Sequence, residues 1–252
     1  MQKESIITIL ASVILSVGVS TALTTNNSKE ATTTSTTAPA TANIEASIES
    51  YLKENPSIIR ESLELAARKE REEAEKRIAE NYLKNLDELH NIENSPYVGP
   101  KDAKITIVEF FDFNCGYCKR LAPALKEVIK NNSDVRFIFK PVAFLAPTSQ
   151  TAAKALLAAA ESGKHYELYE ALLTHNGQIT DSVIDDKIKS VGLNLDATKK
   201  LMNSEKVNKN FEEIISLSQK VEVQGVPTLI INGKPLRTID ASQIQNAINN
   251  LK

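Results

Sequence analysis

The chain predicts an α/β fold behind a helical arm, and three observations carry that prediction. A β-branched and aromatic run, ITIVEFF at 105–111, leads into Cys115-Gly116-Tyr117-Cys118 and then a helical pattern in which Leu121, Leu125, Val128 and Ile129 recur. A second strand pattern follows at 134–141. After a long helical insertion, Val226-Pro227 opens a short strand at 228–231, an Asn232-Gly233 turn, a second strand at 234–238 and a terminal helix at 241–251.

Composition sets the outer bounds. At 252 residues, with 42% hydrophobic and 25% charged, the chain holds one elaborated domain plus an accessory segment, which excludes global disorder and a multi-span membrane protein. Thirty basic residues against 32 acidic ones give a net charge of −2. With no strongly basic block, nucleic acid is not expected as a partner. Only two cysteines occur, Cys115 and Cys118, so a disulfide framework is excluded.

In chain order, residues 1–23 carry an apolar run from Ile6 to Leu23 and predict an export segment. Ser20 and Ala22 suit a signal-peptidase site, and the alternative is an uncleaved anchor, since 18 mostly apolar residues sit at the lower limit for a span. Both place the rest of the chain outside the cytoplasm, in the periplasm or cell envelope. Residues 24–43 are rich in Thr and Ala and predict a linker.

Residues 44–94 predict a helical arm, broken at Asn55-Pro56. Ile44, Ile48, Tyr51 and Leu52 share one face, and Ile58, Ile59, Leu63, Leu65 and Ala66 continue an apolar surface. From 68 to 77 every residue but Ala74 is charged, which predicts a solvated helix or a hinge. Tyr82, Leu86 and Leu89 then restore apolar spacing. Two partners for the 44–66 face stay open: the chain's own domain, or a second or third copy.

Residues 95–252 form the domain that carries the chemistry. Cys115 falls at the start of a helix, where unpaired N–H groups and the helix dipole favour a thiolate. It is the candidate nucleophile, and Cys118 the resolving thiol. A zinc site needs about four ligands, and His90, His165 and His175 lie in separate contexts, so no metal site is expected. A two-thiolate Cu(I) site remains an open alternative. Glu109 is a lone acid in an apolar strand, where desolvation would raise its pKa and suit it to relay the Cys118 proton. Lys140, at the end of the neighbouring strand, is its candidate partner. The competing reading for both is a strand-end charge facing solvent.

Strand, CxxC helix and strand, then after a long insertion Val-Pro, hairpin and terminal helix make up the thioredoxin fold; the helical runs of the insertion, 147–220, are similar to the helical domain inserted into the thioredoxin core of the family that the following motifs resemble. FFDFNCGYC, GKHYELYEALL and VQGVPTLIINGK occur in order and resemble the DsbA-like family of exported thiol:disulfide oxidoreductases from about Ser95 onward. The arm, with YLKENPSII, resembles the oligomerising extension of the suppressor-of-copper-sensitivity C and Com1-like subgroup, whose members form dimers or trimers and tend toward isomerase activity.

The resemblance implies an enzyme that isomerises or oxidises disulfides in exported proteins, with the Cys115–Cys118 disulfide as its only redox group and no separate cofactor. It implies that Pro227 is a cis-proline which, with Val226, pairs with the substrate backbone, and that Gly116 and Tyr117 face the substrate. Gly116-Tyr117 stands where strong oxidases carry Pro-His, which implies a less oxidising couple. The implied partners are unfolded or mispaired secreted proteins, a membrane redox partner that reduces or reoxidises the pair, and further copies of the chain through residues 44–66. A copper-binding or chaperone-like oligomeric carrier using the same two cysteines is the alternative.

Overall fold

The computed structural model describes residues 38–252, with side chains from residue 43 onward; the export segment expected at 1–23 and most of the linker expected at 24–43 lie outside the described residues. The described residues divide into two compact units, with the boundary between Glu61 and Ser62. Among the described residues no helix is long and apolar enough to cross a membrane.

In the first unit, helix α1 spans Ala38–Glu54, starting six residues ahead of the Ile44 boundary read from apolar spacing. The added residues are small and lack glycine, so they carry no apolar periodicity to read. Pro39 sits in the first turn, where its missing N–H costs nothing. Asn55 ends α1, its backbone and side-chain N–H groups both donating to the Tyr51 carbonyl at 2.9 Å. Pro56 then starts α2 (Pro56–Lys84), a continuous helix, so the charged run 68–77 is helical rather than a hinge. Ile44, Ile48 and Tyr51 are exposed.

The second unit takes up the rest of α2, whose Ile78 and Tyr82 are buried, then the single turn α3 (Leu86–Leu89). A five-stranded sheet follows, built from β1 (Tyr97–Val98), β2 (Ile105–Phe111), β3 (Val135–Pro141), β4 (Thr228–Ile231) and β5 (Lys234–Leu236) in the order β1-β3-β2-β4-β5. The two-residue β1 is too short to leave a sequence pattern. β2 lies centrally, parallel to β3 and antiparallel to β4, and all seven of its residues are buried. This is why it reads as a continuous apolar run rather than an alternation. A parallel pair needs a crossover, which α4 (Gly116–Asn131) supplies. β4 and β5 close through Asn232 and Gly233, both at positive φ (45° and 80°) as a tight two-residue turn demands.

Between β3 and β4 lie α5 (Pro147–Ala160), α6 (His165–Leu173), α7 (Asp181–Ser190), α8 (Leu195–Met202) and α9 (Glu205–Lys220). α7, α8 and α9 begin with Thr180, Asn194 and Ser204, whose side chains accept the N–H three residues on. Asp240 caps the terminal helix α10 (Ala241–Asn249) in the same way.

Candidate active site

Cys115 is the N-cap of α4, in extended conformation at φ −81° and ψ 119°, so the free N–H groups of the first turn converge near it. Its Sγ donates to the Val226 carbonyl at 3.2 Å. The Val226–Pro227 peptide is cis. Cys118, one turn into α4, is fully buried, and both thiols are free. Burial pushes the Cys118 thiol far up, the nearby Glu109 pushes it further, and a hydrogen bond from the Asp112 backbone acts the other way.

Glu109 points into the core, not to solvent. Its Oε2 accepts from the Tyr169 hydroxyl at 2.8 Å, while Oε1 is buried without a partner. Burial raises its pKa to about 8, against the smaller lowering effect of the Tyr169 hydrogen bond. Tyr169 is itself wedged edge-on against Phe111 and tilted against Phe139, with ring centroids at 5.1 and 4.5 Å. The Glu109 carboxyl, the Cys118 thiol and the Tyr169 phenol are thus all buried behind the helix start.

Lys140 is not the partner of Glu109. In the parallel β2–β3 register Glu109 lies opposite Phe139 while Lys140 lies opposite Phe110, so the two side chains leave opposite faces of the sheet. Lys140 is buried, donates to Ser95 Oγ at 2.9 Å, and is lowered to about 7 by burial, with Glu213 and Glu88 acting in the other direction.

Two residues absent from the sequence reasoning hold the loop before Cys115. The buried carboxylate of Asp112 accepts from the amides of Asn114, Phe144 and Leu145 at 2.8, 2.9 and 3.1 Å and from Ser149 Oγ at 2.7 Å. Asn114 donates to Ser149 Oγ at 3.0 Å and accepts from the Ile179 amide at 3.2 Å. The available signal was an acid directly following an unbroken buried strand; for Tyr169 it was its place in the GKHYELYEALL motif, which by itself gives the residue no role.

A groove of about 570 Å³ opens beside these groups, lined by Tyr117, Val226, Pro227 and Thr228 together with residues of β5, the segment after it, and α2. Tyr117 is exposed, with the Arg120 guanidinium 4.1 Å over its ring. Gly116 forms the first helical residue beside it. Among the described residues no cluster of three or more His, Cys, Asp or Glu side chains is placed to hold a metal ion.

Comparison with known proteins agrees with this architecture. The chain is 28% identical over 174 residues to disulfide bond formation protein D of Bacillus subtilis, covering 63% of this chain and 77% of that protein. It spans only about a fifth of the Na(+)/H(+) antiporter NhaA 1 of Salinispora arenicola, at 28% identity over 138 residues, 54% of this chain and 21% of the antiporter. The catalytic domain of Proteus mirabilis ScsC superposes with a TM-score of 0.62 at 28% identity, covering 69% of this chain and 97% of that domain. A family model described as the DSBA-like thioredoxin domain matches residues 106–252, more than half of the chain, and the protein belongs to that family.

Proposed function

We propose that the protein is an exported thiol:disulfide oxidoreductase that isomerises or oxidises disulfides in secreted proteins. The carrying observation is the geometry at Cys115: a helix-start thiol, only 6% exposed, 3.2 Å from the Val226 carbonyl of a cis-proline loop, with Cys118 fully buried one turn behind.

In isomerisation the Cys115 thiolate attacks one sulfur of a substrate disulfide. A Cys115–substrate disulfide forms, and the other substrate sulfur leaves as thiolate. A substrate thiolate then attacks the mixed disulfide and expels Cys115 unchanged. If Cys118 attacks instead, the substrate leaves reduced and the Cys115–Cys118 disulfide forms. Oxidation runs this last sequence backwards, the protein pair gaining the two electrons and protons that a substrate dithiol loses. A membrane redox partner returns the pair to its working state. Burial and Glu109 both disfavour a free Cys118 thiolate, so the proton leaves Cys118 as it attacks, and Glu109, close by, is positioned to take it in its ionised form.

Gly116-Tyr117 between the cysteines places no imidazole beside Cys115, which supports a less oxidising couple than a Pro-His pair. The exposed face of Ile44, Ile48 and Tyr51 on α1 supports self-association into a dimer or trimer. A Cys115→Ser variant should lose all refolding of scrambled ribonuclease while the wild type restores its activity. Wild-type protein that binds Cu(I) tightly yet refolds nothing would replace the enzyme with a copper carrier.

A further inference from the structure

The end of the arm helix is built into the groove beside the redox pair. Ile78 and Tyr82 of α2 line that groove and are 8% and 3% exposed. The same stretch is fastened to it at both rims: Glu75 pairs with Arg237 at 3.1 Å and Arg77 with Glu222 at 3.4 Å, and both Arg237 and Glu222 are groove residues. These pairs are solvent-exposed and add little stability. Their effect is positional, with Asn81 Nδ2 donating to the Lys220 carbonyl at 2.9 Å as a third tie. A run that reads in the sequence as a solvated helix or a hinge is therefore held beside the cis-proline loop.

We propose that Ile78 and Tyr82 are specificity-determining residues, forming the subsite that receives an apolar or aromatic side chain near the reacting cysteine of an extended, unfolded substrate. The inference rests on the oxidoreductase reading. Continuity identifies the occupant: the groove also runs past Tyr117, Val226 and Pro227, and the Val226 carbonyl is in contact with Cys115 Sγ. A chain joined to Cys115 through its own sulfur reaches this floor within a few residues. An apolar floor with charged rims suits a segment that is not yet folded, since a folded partner keeps such side chains inside.

The test uses the full chain carrying Cys118→Ser. A peptide with one cysteine and a photoreactive benzoylphenylalanine a few residues away is supplied as its mixed disulfide with an aromatic thiol. The Cys115 thiolate attacks the peptide sulfur and the aromatic thiolate leaves, fixing the peptide on Cys115. After irradiation, label should appear in the tryptic fragment from Ile78 to Lys84. Label confined to other fragments overturns the proposal. Label in that fragment that disappears as protein concentration rises assigns the groove to a second copy and also overturns it. Failure of any peptide to attach to Cys115 overturns the oxidoreductase reading instead. In kinetics, Ile78→Ala with Tyr82→Ala should raise KM for an aromatic-flanked peptide disulfide by about five- to tenfold, the fold-change expected from part of one buried side chain. KM for a serine-flanked peptide and exchange with glutathione should stay within about twofold. Equal losses for both peptides would mark the wall as merely structural.

Discussion

Glu109 keeps its proton to about pH 8 because burial outweighs the one hydrogen bond it receives, against an ordinary value of 4.5. Between those values the folded chain binds more protons at this site than the unfolded one. Its contribution to stability is therefore full below 4.5 and is lost as pH rises through 8. Glu109→Gln should flatten this decline, removing a loss of the order of a few kcal/mol, as urea unfolding at pH 4.5, 7 and 9 would read. Tyr169→Phe should act oppositely to a stronger hydrogen bond: the ionised carboxylate loses its donor, and the pH profile of the Cys118-dependent resolving step moves upward. An unmoved profile would separate Tyr169 from the redox pair. At this scale the positions of Cys115, Cys118 and Pro227 were legible because each sits in a short local motif. Tyr169 was not, because its meeting with Glu109 depends on how α6 packs over a strand 60 residues away.

Strand register decides what a sequence cannot show about Lys140. Proximity at the ends of neighbouring strands suggested Lys140 as the partner of Glu109, yet a one-residue offset places the two side chains on opposite faces. There the ammonium is held at about 7 by burial, down from 10.5. In that window the unfolded chain binds the extra proton, so stability rises with pH from 7 to 10.5, and the cost of the buried charge is complete below 7. Lys140→Met should therefore raise the melting temperature more at pH 6 than at pH 10, with thiol exchange unchanged. A fall in exchange rate would reconnect this face to the cysteines. For α2 the limit was different. Charge at every position from 68 to 77 except 74 erased the apolar signal without ending the helix, so the segment's tie to the groove through Glu75 and Arg77 stayed invisible.

For the molecule as a whole, the strand–helix–strand unit and the later hairpin–helix unit were legible, as each is a run of neighbouring elements with its own punctuation. The strand order was not, because β2 pairs with β4 across more than a hundred residues and no local pattern encodes that meeting. The arm sets a separate expectation. With Ile44, Ile48, Tyr51, Ile59 and Leu63 exposed on one chain, association of several copies would remove this apolar surface from water. Deleting residues 44–66 should reduce the mass measured by light scattering to that of one chain while leaving glutathione exchange intact. An unchanged mass would remove the arm from assembly.

Asp112 carries a further consequence. Its one carboxylate gathers amides from the loop before Cys115 and from the loop between β3 and α5, together with a hydroxyl of α5 itself. Loss of that one acceptor strands donors in both loops at once, so the nucleophile's loop and the entrance to the helical insertion are coupled through it. Removing the carboxylate, as in Asp112→Ala, should therefore speed hydrogen exchange at Asn114, Phe144 and Leu145 together, since all three amides rest on the acceptor that fixes the loop presenting the Cys115 sulfur.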